Sequence, residues 1–122
     1  MNKIRFILVK VGEKAKVINI DNDIRKIQKI VNGYIEMTYV SRTDQIAIIY
    51  NQKQEKKKFR PNRTIKFYND KGKTIASNII NGNFLIAYAP FGSNDFETLP
   101  NDLLMKYFKI YQEPESFKLK QK

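Results

Sequence analysis

The sequence predicts an α+β fold: a mainly antiparallel sheet of about seven strands, a short helix near residues 23–32 and a C-terminal helix near 100–112. Three observations carry this. Seven short runs are rich in β-branched and aromatic residues, the types that suit a pleated surface. Turn-forming clusters separate most of these runs. Apolar residues recur at helical spacing in only two places, so the order is ββαββ, a basic segment, then βββα.

Ile4 to Val11 reads as a buried strand, and Gly12-Glu13-Lys14 turns it into a second, Ala15 to Ile20. Asp21-Asn22-Asp23 supplies N-cap side chains and places negative charge where a helix dipole favours it. Ile24, Ile27 and Val31 then repeat at helical spacing, and Gly33 stands where a left-handed C-cap belongs. Tyr34 to Val40 alternates as a half-buried strand, with Ile35, Met37 and Tyr39 on one face. Ser41-Arg42-Thr43-Asp44 turns it into Gln45 to Tyr50. After the basic segment come strands at Thr64 to Tyr68 and Lys73 to Ile80, joined by Asn69-Asp70-Lys71-Gly72. At least one of the adjacent pair Phe67 and Tyr68 should look outward, because successive strand side chains alternate. Asn81-Gly82 is a strong type I′ hairpin signal and predicts that Asn83 to Ala89 pairs back on the preceding strand. A loop through Pro90-Phe91-Gly92-Ser93-Asn94-Asp95 leads to the last helix, whose stripe is Leu103, Leu104, Tyr107, Phe108 and Tyr111. Pro114 stops it. One domain is expected over 1–115, with 116–122 a frayed basic tail.

Composition excludes several kinds of chemistry. There is no cysteine, hence no disulfide, thiolate nucleophile or cysteine zinc site. There is no histidine, the side chain that most easily moves protons near neutral pH. Asp21-Asn22-Asp23 does not open a calcium loop, because the sixth position is Lys26 and the twelfth Asn32. No glycine-rich phosphate loop and no serine elbow is present. The acids are scattered, so the chain is not expected to be an enzyme or to need a cofactor or metal. No apolar run is long enough for a membrane span, and the N-terminal run is interrupted by Arg5 and Lys10, unlike a signal peptide. A cytoplasmic location is expected.

The net charge of +11 is concentrated. Tyr50 to Tyr68 contains Lys53, Lys56, Lys57, Lys58, Arg60, Arg63 and Lys66 against Glu55, a net +6. Lysine runs usually keep a loop soluble. Phe59-Arg60-Pro61-Asn62-Arg63 differs in kind. Pro61 stiffens the backbone, and Arg60 and Arg63 are two of five arginines in a lysine-rich chain. A guanidinium grips phosphate through two parallel hydrogen bonds, and Asn62 can both donate and accept. Asn51 either caps the strand end or faces the same ligand. Phe91 is either a plug over the core or a lid that stacks on a base, with Ser93 and Asn94 beside it. The candidate ligand-binding residues are therefore Arg60, Asn62, Arg63, Asn51, Phe91 and Asn94.

The blocks IQKIVNGYIE, IIYNQKQEKKKFRPNR and ASNIINGNFLIAYAPFGSNDFETLPNDLL resemble small proteins of low-GC phages and mobile elements, and within them the phage Thoeris anti-defence sponges. That resemblance implies a non-enzymatic protein in the host cytoplasm that holds a cyclic ADP-ribose isomer without cleaving it. It implies a function class and assigns no residue. Arginine forks suit the pyrophosphate of such a ligand, an aromatic its adenine and asparagine its ribose hydroxyls. A sponge that out-competes a receptor needs a Kd near 1 nM, about −12 kcal/mol, and hence an enclosed pocket. A pocket shared between protomers encloses more, so at least a dimer is expected. DNA or RNA is the alternative partner, on the strength of the charge. Docking of the basic loop on an acidic protein is a third.

Overall fold

A computed structural model describes residues 3–56 and 58–117. Lys57 and the lysines of the predicted tail beyond residue 117 lie outside the described residues. Seven strands and two helices follow in the order β1 (Lys3–Val9), β2 (Lys16–Asp21), α1 (Ile24–Val31), β3 (Ile35–Ser41), β4 (Ile46–Asn51), β5 (Pro61–Tyr68), β6 (Thr74–Asn81), β7 (Phe84–Tyr88) and α2 (Asn101–Tyr111). The fold is α+β, one seven-stranded sheet of order β2-β1-β7-β4-β3-β5-β6. Every pairing is antiparallel except β3 with β5, which run parallel and meet at one bridge, Ser41 to Tyr68. No helix among the described residues is long and apolar enough to cross a membrane.

The sheet is the middle layer of three. Ile7, Val9, Ile46, Ile48, Ile65 and Phe84 face α2, which presents Leu103, Leu104, Tyr107, Phe108 and Tyr111 to them. Phe6, Leu8, Ile49, Leu85 and Ala87 face α1, which inserts Ile27. Double coverage explains the unbroken burial of Phe6 to Val9 and of Ile46 to Ile49. Each fully buried aliphatic side chain of this kind contributes roughly 1.5–3 kcal/mol. Helix α1 begins at its Asp23 cap, whose carboxylate accepts from the Arg25 amide at 2.9 Å. It ends on Asn32, not Gly33: Asn32 takes the left-handed conformation at φ 64°.

Two expectations are corrected. Asn81-Gly82 does not make a hairpin. Strand β7 lies between β1 and β4 with both edges taken, while β6 pairs only with β5. Gly82 keeps its positive φ of 81°, but Asn81 does not share it, so the type I′ geometry is absent. The dipeptide is an elbow between non-adjacent strands. Phe59 packs on Gly82, 3.1 Å from where a Cβ would stand, and the Gly82 amide donates to Arg60 O at 2.9 Å. Secondly, neither Phe67 nor Tyr68 turns away from the core. Both pack against the α2-side cluster, because the β5–β6 register shifts between them.

The elbow also shows that the sheet curls. Strands β7, β4 and β3 separate β1 from β5, about 19 Å across a flat sheet. Yet Asn62 at the start of β5 donates to Val9 O at 2.9 Å.

Candidate ligand-binding cleft

The curl decides what the basic segment can do. Arg63 lies inside the molecule with 1% of its surface exposed. Its guanidinium donates to Tyr111 O (3.2 Å), Glu13 O (2.6 Å) and Asn62 Oδ1 (2.8 Å). It thus ties β5 to the C-terminal end of α2, whose carbonyls attract a cation, and to the β1–β2 turn. Burial pulls its pKa below the usual arginine value, against the opposing pull of Glu115 and Glu113. Asn62 is as fully used: its amide donates to Val9 O and Gly82 O, and its oxygen accepts from Arg63. Asn51 is a cap. Its amide donates to Val31 O and Asn32 O, closing the end of α1, while Oδ1 accepts from the Lys53 amide. Arg63 and Asn62 were expected to meet a ligand, and their donors are instead committed to the chain's own acceptors, which corrects that expectation; of the two readings of Asn51, the cap is the one observed. Arg60 remains at the surface.

The other two predicted residues, Phe91 and Asn94, lie in one loop elsewhere, and only Asn94 lines the cleft described next. Helix α1 has eight residues, about 12 Å, and β3 has seven, about 23 Å. The helix cannot cover the strand, and Met37 and Tyr39 are left beyond its end. The loop from Ala89 to Phe96 forms the opposite wall. Between them lies a cleft of about 500 Å³ lined by Asn22, Ile24, Met37, Tyr39, Asn94 and Asp95, among others. A second, more open hollow adjoins it and shares Asn22, Ser93, Asp95 and Phe96, with Glu97 and Thr98 beyond.

The loop is fixed at both ends. Gln45, just before β4, accepts from the Ala89 amide on its carbonyl (2.9 Å) and from the Phe91 amide on Oε1 (2.6 Å). The Tyr39 hydroxyl donates to Ala89 O at 2.7 Å. At the far end Phe96 meets Phe6 edge-on at 6.2 Å and its carbonyl accepts from Asn22. Phe91 does not itself line the cleft, but its ring stands edge-to-face on Tyr39, which does, centroids 5.3 Å apart. The Arg42 guanidinium lies over both rings, 5.2 Å from Phe91 and 5.6 Å from Tyr39. Stacking of this kind holds the planar group in place. Arg42 has no carboxylate partner among the described residues.

Residues 4–112 match the model of one protein family, a domain of unknown function. The chain belongs to the DUF3846 family. No curated protein and no solved structure matches this DUF3846 chain. Among the described residues of the domain, no group of three or more His, Cys, Asp or Glu side chains is placed to hold a metal ion.

Arg42, Tyr39, Met37 and Asp95 were not singled out from the sequence as ligand contacts, and Asn22 entered only as an N-cap residue and in a rejected calcium loop. Arg42 reads as one residue of a polar turn. Its neighbour Phe91 reaches it because β7 pairs with β4, through partners about 40 residues apart that no local signal announces.

Proposed function

We propose that this protein binds a small anionic nucleotide in the α1–loop cleft and holds it without cleaving it. The observation that carries the reading is Arg42: a guanidinium with no ion-pair partner among the described residues, stacked on Phe91 and on Tyr39, which lines a cleft of ligand size. A phosphate is gripped at the rim by Arg42. The apolar floor of Ile24, Ile27 and Met37 takes the base. Asp95, exposed on the loop wall, repels phosphate but accepts from sugar hydroxyls, and Asn22 and Asn94 read polar edges. The resemblance to the Thoeris sponges makes a cyclic ADP-ribose isomer the first ligand to try, and phage counter-defence the role. The cleft is open on one side, so a second protomer supplies the enclosure that nanomolar retention requires.

The test is calorimetry with a cyclic ADP-ribose isomer, a nucleoside monophosphate, the free nucleoside and orthophosphate. Mass spectrometry then examines the ligand released by heat. Arg42→Gln and Phe91→Ala should each weaken nucleotide binding by about tenfold or more, the scale of one charge-assisted pair or one stacked ring. Arg60→Gln should leave it unchanged. Equal affinity in wild type and both cleft variants sinks the proposal, and recovery of a hydrolysed product replaces retention with catalysis.

A separate observation favours nucleic acid as a second reading. Lys53, Lys56, Lys58 and Arg60 are exposed and have no ion-pair partner among the described residues. Tyr34, 70% exposed, lines a hollow together with Lys53. A ring beside free cations suits single strands. Four phosphate contacts give a slope of log affinity against log salt near −3. A slope near zero with oligonucleotides removes this reading.

A further inference from the structure

A further cavity lies beside the parallel contact of the sheet. Strands β3 and β5 end at the residues that bridge them, Ser41 and Tyr68. From there the chain diverges. The turn after β3 leads to β4 on one side, and the turn after β5 leads to β6 on the other. Where neighbouring parallel strands send their connections apart, a crevice opens beyond their carboxyl ends. Here it measures about 300 Å³ and is walled by Thr43 and Asp44 from one turn and Asn69 and Asp70 from the other. Helix α2 closes the floor with Lys106 and Tyr107.

The chemistry of the walls is mixed and partly pre-arranged. Asp44 Oδ2 accepts from Lys106 Nζ and from the Tyr107 hydroxyl, both at 2.7 Å, and the Asp44 amide donates to Ser41 Oγ at 3.0 Å. The charge of Asp44 is thereby matched, while its Oδ1 accepts nothing among the described residues. Asn69 Oδ1 accepts from the Lys71 and Lys73 amides, which orients its NH₂ group as a free donor. Asp70, the Thr43 hydroxyl and the Tyr68 hydroxyl have no partner among the described residues. Carboxylate acceptors thus alternate with hydroxyl and amide donors beside tyrosine rings.

We infer that this crevice is a binding site for a neutral, hydroxyl-rich molecule of the sugar class. Vicinal hydroxyls donate to Asp70 and to Asp44 Oδ1 and accept from Asn69 and Thr43, and the Tyr68 ring covers an apolar sugar face. Charge selects the class. Unpaired Asp70 opposes an anion, and the field of a +11 chain opposes a cation, so a neutral ligand alone meets neither penalty. The crevice shares no lining residue with the α1–loop cleft, so the two proposals stand or fall separately.

The test is titration of the ¹⁵N-labelled protein with D-ribose, D-glucose, putrescine and orthophosphate, following amide shifts. A neutral sugar should bind with millimolar affinity and move the amides of Thr43, Asp44, Asn69 and Asp70. Asp70→Asn, a change at an exposed turn, should weaken it by about fivefold or more, the scale of losing one charge-assisted bond. Asn22→Ala, in the other cleft, should have no effect. The inference is overturned if no sugar saturates these amides, if putrescine or phosphate binds there more tightly, or if Asp70→Asn binds as wild type does.

Discussion

Replacing Arg63 by methionine should destabilise the protein severely, and the size follows from what the guanidinium touches. Methionine matches much of the side-chain volume but donates nothing. Three acceptors then lose their partner: Tyr111 O, Glu13 O and Asn62 Oδ1. A buried acceptor left unpaired costs about 1–3 kcal/mol. The Glu13 end reaches solvent, and removing the buried cation ends its own desolvation cost, so the three do not add in full. The net loss is about 3–5 kcal/mol, out of a total stability of order 5–15 kcal/mol. For a domain of this size that lowers the melting temperature by roughly 10–20 °C. Arg63→Lys keeps the charge but not the fork, and one ammonium cannot reach three divergent acceptors; it should recover about half. Thermal and urea unfolding followed by circular dichroism give both numbers. If Arg63 instead clasps an external anion, Arg63→Met will melt within about 3 °C of wild type and lose only ligand affinity. That outcome refutes the structural account of this residue.

Asn51→Ala should lower stability by about 1–2 kcal/mol, because the Val31 and Asn32 carbonyls at the end of α1 lose their donor. Urea unfolding measures it, with fastest amide exchange expected in the last turn of α1. The second concerns alkaline pH. Burial pushes the Tyr111 phenol up to about 12 from 10.0, and burial with the Asp44 carboxylate pushes Tyr107 up as well. A phenol whose pKa is higher in the folded state contributes its full stability below pH 10 and loses it as pH rises through the folded value. Stability should therefore fall between pH 10 and 12 by up to about 1.4 kcal/mol per pH unit for each buried tyrosine. Tyr111→Phe should show a shallower fall over that window; an unchanged slope contradicts the assignment.

How much was legible in the sequence depended on the range of the deciding contact. The β1–β2, β3–β4 and β5–β6 hairpins, the Asp23 cap and the α2 stripe were all readable. Each is set by residues within one turn or one helical period of each other. The Asn81-Gly82 elbow was misread because a dipeptide specifies φ, not partners. Strand β7 slots between β1 and β4 through pairings about 40–80 residues apart, and that choice leaves the dipeptide as a crossover.

The site followed the same division, and Arg63 shows why. Two arginines flanking Pro61 look alike in sequence, yet strand alternation and the bulge at Asn62 send Arg63 inward and leave Arg60 outside. An arginine with several donors is well suited to an external phosphate, and for the same reason to a knot of internal carbonyls. The discriminating quantity is the number of unpaired backbone acceptors nearby. The curl that carries β5 over β1 creates such acceptors at Val9, Gly82, Glu13 and Tyr111, and Asn62 with Arg63 satisfies all four. Once the fold has consumed those donors, Arg42 and Arg60 are left without an ion-pair partner among the described residues, and Arg42 is held by rings rather than by carbonyls. The proposed anion site therefore lies not in the stretch with the most charge but where a guanidinium is held on two rings.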